Sequence, residues 1–228
     1  MSFSRLSLSI LIWLRVAIFG ILYASLIGLF RLTLNEIAPY WPIIFIVGNI
    51  LTILIFDIIL RRKDQSFFRF LLTIMHTKIS KREFLYTLLW MFGAGVGGMI
   101  LISMLFFEGP PPDLIYSVSW SWGLFYIIFF PITAALSEIP FYYGFIDTSW
   151  KVNKSHSIIP LLYIILVYGI QHAFLPFLWD IKFILFRIIS FIPLMILIGI
   201  YRRKNRSLKS IIIIHGLMDL STVIQMLI

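Results

Sequence analysis

The stretch WPIIFIVGNILTILIFDIILRRK, residues 41–63, is an almost unbroken apolar run closed by three cations. A helix of about 20 residues crosses the roughly 30 Å hydrocarbon core of a bilayer, so this stretch predicts a membrane-spanning helix that ends at an interface. Six more segments near that length follow the same pattern: approximately 7–30, 84–107, 119–147, 158–178, 181–201 and 208–228. The first is too long for a signal-peptide core and lacks a small-residue cleavage site after it, so it reads as a retained span. Of the 228 residues, 61% are apolar and 13% charged, against about 45–50% and about 25% in soluble domains. The expected fold is all-α, a polytopic membrane helix bundle of about seven transmembrane helices.

The cations that close the opening stretch also orient it. Loop 61–83 holds Arg61, Arg62, Lys63, Arg69, Lys78, Lys81 and Arg82, loop 148–157 holds Lys151 and Lys154, loop 202–209 holds five more, and Arg5 precedes the first segment. That places 15 of the 19 basic residues in alternate loops, while loops 31–40, 108–118 and 179–182 hold only Arg31 and Lys182. Basic loops stay in the cytoplasm, so the N-terminus is expected inside and the C-terminus outside. The net charge of +9 then reflects topology and an anionic lipid surface, with no nucleic-acid partner. Residues 66–80 mix aromatics with cations and read as an interfacial amphipathic stretch. GPPP at 109–112 marks an outer turn, and Gly93 with Gly97 forms a small-xxx-small ridge expected to pack helices. With no cysteine, disulfides, thiolate catalysis and thiolate metal sites are excluded. The reading is a multi-pass cell-membrane protein, most simply of a prokaryotic plasma membrane.

Ionisable groups in hydrocarbon each need a reason, since one charge at a helix centre costs about 2.5–3.5 kcal/mol on insertion scales. Glu138, His172, His215 and Asp219 stand out. Arg15 is expected to face the bundle or to snorkel. Asp57, Asp147, Asp180 and Arg187 lie nearer span ends and read as structural or interfacial. Glu138, His172 and His215 sit roughly 15, 20 and 10 Å from the inner ends of their segments, within one slab of membrane. His215 and Asp219 share a helix face at spacing four, as do Tyr168 and His172. A carboxylate and two imidazoles at common depth can activate a water and stabilise an oxyanion. The same Glu138, His172 and His215 are also ordinary ligand types for zinc, and spacing alone does not choose between the two. Pro140 frees a backbone carbonyl and bends the helix beside Glu138.

At these residues the chain resembles the CPBP intramembrane proteases (the ABI family), which include the Ras-converting CAAX prenyl endopeptidases and bacteriocin-processing or immunity proteins. The family's EExxxR motif, usually followed by Gly, aligns with TAALSEIPFYYGF at 133–145, with Glu138 as the first Glu and Gly144 as the Gly. YGIQH at 168–172 resembles the second motif and HGLMD at 215–219 the third. The resemblance covers roughly residues 115–228. Ile139 replaces the second Glu and Tyr143 the Arg, so the ion pair that would orient the family's site is absent; Tyr142 and Tyr143 offer hydroxyls in its place.

The resemblance implies Glu138 and His172 as the pair that activates the hydrolytic water, with His215 and Asp219 on the oxyanion side or Asp219 orienting His215. Members are commonly labelled metalloproteases, but the water mechanism requires no metal. The expected function is intramembrane endopeptidase action on a membrane-bound or lipidated protein or peptide, with prenylated CAAX-type substrates as the family precedent and a site opening to the cytoplasmic half. The alternatives are a silent scaffold or immunity protein of the same family, motivated by Ile139 and Tyr143, and a proton-coupled transporter. Residues 1–114 are expected to support and gate a catalytic bundle at 115–228.

Overall fold

A computed structural model describes residues 5–110, 116–152, 158–204 and 207–227. Pro111 and Pro112 of the expected outer turn, Lys154, Arg206 and the boundary at 114/115 lie outside these residues, as do the side chains of Arg5 and Lys151. The described residues form α1 (Arg5–Leu11), α2 (Leu14–Phe30), α3 (Leu34–Ile37), α4 (Trp41–Arg61), α5 (Phe67–Ile74), α6 (Lys81–Phe107), α7 (Trp120–Ile139), α8 (Asp147–Val152), α9 (Ile159–His172), α10 (Ile181–Ser190), α11 (Ile192–Arg203) and α12 (Lys209–Leu227). Among the described residues, six helical stretches are long and apolar enough to cross a membrane: Leu6–Phe30, Leu34–Arg61, Lys81–Phe107, Trp120–Trp150, Ile181–Arg203 and Lys209–Leu227. The chain is an all-α, multi-pass membrane bundle.

Local chemistry sets the helix ends. Thr33 and Glu36 form a capping box, Ser66 and Ser80 cap α5 and α6, and Asp180 caps α10; each satisfies amide donors that a helix start leaves open. Arg31 and Glu108 take left-handed conformations that end α2 and α6. Pro193 has no amide hydrogen, and α10 breaks into α11 just before it. The helices then group their charges: Arg61, Lys81, Arg203 and Lys209 stand at one end of the spans, the basic end. Tyr40, Trp120, Trp122 and Trp179 are exposed at the other, where aromatic rings suit a membrane–water interface.

The seventh expected span, 158–178, differs. Its helix is α9, 14 residues long, and the chain leaves the helix at Ala173 through a turn whose Leu175–Pro176 peptide is cis. Backbone at membrane depth must find partners within the protein. Arg187 supplies them, with Nε donating to the His172 carbonyl at 3.2 Å and Nη2 to that of Leu175 at 2.5 Å. The Tyr23 hydroxyl donates to the Phe174 carbonyl at 2.9 Å and accepts from the Phe177 amide at 3.1 Å.

The Gly93/Gly97 ridge is a second correction. A side chain at either position would meet open space, whereas one at Gly95 would strike Met218 and one at Gly98 would come within 2.6 Å of the Ser190 carbonyl. The packing face of α6 is therefore Gly95/Gly98, turned away from the Gly93/Gly97 face by the helical period. The amphipathic stretch at 66–80 is a short helix, α5, with Phe70, Leu71 and Ile74 buried and Phe68 and Leu72 exposed. It lies against Gly144, where a side chain would come within 3.1 Å of Ile74 and Phe70. Centrally, α7 packs between α4 and α12, which puts Glu138 in the middle of the bundle.

Candidate functional site

Helix α7 carries Glu138 two residues before a π-helical turn, Pro140–Ile146. Pro140 opens that turn, since it cannot donate to the ladder, and such wide turns recur at functional sites. Glu138 is buried and both carboxylate oxygens are occupied. Oε1 accepts from Arg15 Nη2 at 2.9 Å and from Gln171 Nε2 at 2.5 Å. Oε2 accepts from the Tyr168 hydroxyl at 2.7 Å and lies 3.3 Å from His215 Nε2. Four helices, α2, α7, α9 and α12, thus converge on one carboxylate.

On α12, the spacing of four between His215 and Asp219 brings His215 Nδ1 within 3.0 Å of Asp219 Oδ2. Asp219 is therefore a close charge contact of His215, and His215 lies between two carboxylates. His172 ends α9, and its Nδ1 lies 2.8 Å from the Tyr168 carbonyl. A carbonyl only accepts, so Nδ1 carries the proton and, in the neutral ring, Nε2 keeps its lone pair. The ring also lies tilted against Phe191 at 4.4 Å between centroids. Glu138, Tyr168, His172, His215 and Asp219 all line one cavity of about 150 Å³.

The two tyrosines of the π turn part company. Tyr142 donates to Gln171 Oε1 at 3.0 Å and stacks on Tyr168 at 4.6 Å, so it belongs to the cluster. Tyr143 donates to the Met195 carbonyl at 2.8 Å, and Ile139 is fully buried in apolar surroundings. Neither reaches Glu138.

Arg15, from α2, is the cation paired with Glu138. It is fully buried, and it also donates through Nε to Gln171 Oε1 at 2.5 Å and through Nη2 to Asn49 Oδ1 at 2.7 Å. Asn49 in turn accepts from the Ser137 hydroxyl at 2.9 Å. Arg15 faces the bundle, as one branch of the sequence expectation had it, but its partner, Gln171 and Asn49 were not foreseen. The cost of an unpartnered polar group in hydrocarbon applies to amides as it does to charges. Applied to Asn49 and Gln171, it singles out both.

The metal option finds no support in the donor geometry. Among the described residues no three His, Asp or Glu side chains are arranged to hold an ion. Glu138 is committed to Arg15 and Gln171 and His215 lies between two carboxylates, which leaves the His172 Nε2 lone pair as a single free ligand, too few for an ion. The residues do not fit zinc, and the chemistry they offer is that of acid, base and hydrogen-bond donor. The chain matches no protein-family model, no curated protein and no solved structure.

Proposed function

We propose that this protein is an intramembrane endopeptidase that hydrolyses a peptide bond in a membrane-associated polypeptide, by the Glu/His water chemistry of the CPBP proteases it resembles. The observation that carries this reading is the meeting of Glu138, His172 and His215, from three helices, on one cavity. Water in that cavity loses its proton to the Glu138/His172 pair while its oxygen attacks the substrate carbonyl. In this reading His215 Nε2, 3.3 Å from Glu138 Oε2, donates to the oxyanion that develops. The proton then passes to the departing amine, and collapse of the tetrahedral intermediate breaks the C–N bond.

Arg15 bears on the alternative of a silent family member. That alternative rests on the missing Glu and Arg at Ile139 and Tyr143, and a guanidinium from α2 offsets the second loss. In this reading the N-terminus and basic loops are cytoplasmic, the membrane is that of a prokaryotic cell, and the partners are lipid and the substrate polypeptide. Purified protein in detergent with a panel of peptides tests it. Cleavage is expected from the wild type, with or without chelator, and to vanish in Glu138→Ala and His172→Ala. Cleavage that persists in either variant overturns the assigned roles.

A further inference from the structure

The cavity has a closed end and an open end. Towards the basic end it stops at Met195 and Ile198, both buried. Beyond Glu138 in that direction the π turn places Tyr142, Tyr143, Phe145 and Ile146, essentially without exposure. Helix α5 covers them, with Phe70 edge-on to Phe56 at 5.2 Å and to Phe145 at 6.3 Å. The end of α5 is tied to the start of α12 by the Leu208 amide donating to the Ile74 carbonyl at 3.1 Å. No water or chain passes through packing of this kind without displacing several aromatic rings.

Towards the other end the wall opens step by step along α12. His215 is 7% exposed, the Asp219 side chain 20%, Ser221 and Thr222 are half-buried and Gln225 is exposed; all five line the cavity. Asp219, Thr222 and Gln225 recur every three residues, a polar stripe running from the carboxylate cluster to the surface where the Trp residues gather. Facing it are Trp41, Phe45 and Phe130. The Trp41 indole Nε1 is buried with no partner among the described residues. On α6, Val96 lines the same cavity and is 37% exposed, so the cleft also has a lateral side towards lipid.

We infer that the site is entered from the membrane face opposite the basic loops, and that its substrate is an extended stretch of a membrane-inserted polypeptide whose scissile bond lies in that outer half. This deepens the endopeptidase reading and rests on it for the word substrate. An extended chain in hydrocarbon needs partners for its own amides and carbonyls. On α12 the Ser221 and Thr222 hydroxyls, which donate to the Met218 carbonyl and keep oxygens that accept, and the Gln225 amide, which donates and accepts, supply both kinds. A soluble polypeptide lipidated in the cytoplasm arrives at the basic face and meets the closed end, so the opening expected towards the cytoplasmic half is replaced by one on the other side.

The chain has no cysteine, which makes the test direct. Thr222→Cys and, as a second position, Ser221→Cys are compared with Thr73→Cys on the exposed face of α5, using a membrane-impermeant maleimide on right-side-out and inverted vesicles. The expected result is that the two α12 thiols react from the face opposite to the one that labels Thr73→Cys, with loss of cleavage on labelling. Reaction from the same face as Thr73→Cys, or from neither face, overturns the inference. Labelling decides the route of entry even if the unlabelled chain never cleaves a peptide, an outcome that strikes only the endopeptidase reading.

Discussion

The two oxygens of Glu138 face two different regions of the bundle. On the α2 and α4 side, Oε1 meets Arg15 and Gln171, backed by Asn49 and Ser137, and none of these four lines the cavity. On the α12 side, Oε2 meets Tyr168 and His215, and both do. One region fixes a charge where water cannot reach; the other leaves room for a reactant. A buried carboxylate is costly without a cation and of little use if wholly enclosed, and the division between the two sides answers both demands.

The comparison breaks most sharply at Arg15. Removing one partner of a buried ion pair costs about 3–5 kcal/mol, so Arg15→Met is expected to lower stability by that amount, read as a fall in the unfolding midpoint in detergent. The double variant Arg15→Met/Glu138→Gln should recover most of it, because no charge is then left unpaired. If the double variant is as unstable as the single one, the closed side is not organised around Glu138.

On the open side the expected signature is kinetic. Asp219→Asn keeps the volume but removes the charge beside His215 Nδ1, and a fall of about 100-fold in kcat/KM is expected, with the unfolding midpoint held. The smallest effect belongs to a residue on neither side. Tyr143→Phe forfeits one hydrogen bond to Met195 and should cost about 1 kcal/mol of stability while cleavage continues. A strong loss of cleavage there would mean that the π turn, rather than the cavity wall, governs the chemistry.

Hydropathy made the bundle legible because lipid demands long apolar helices, and the described residues hold six of them. It could not foresee the early end of α9, since AFLPFLW at 173–179 is as apolar as the helix before it; what ends the helix is Pro176 and the carbonyl partners offered by Arg187. Gly93/Gly97 failed for a related reason. A spacing of small residues names a helix face without naming the neighbour, and Met218 and the Ser190 carbonyl lie on the other one. Within the site, Glu138, His215 and Asp219 were legible through the cost of burying charge and a spacing of four. Arg15 was visible as a charge but its partner was not, because 123 residues separate the two and no local periodicity carries that distance.

The brevity of α9 bears on how the protein is made. Fourteen residues give roughly 21 Å of helix, short of the roughly 30 Å core, so this segment has no stable transmembrane state of its own at the moment of insertion. Tyr23 and Arg187, from helices before and after it in the chain, close on the carbonyls it leaves bare. The place of His172 in the cavity wall is therefore a property of the assembled bundle and not of α9 alone.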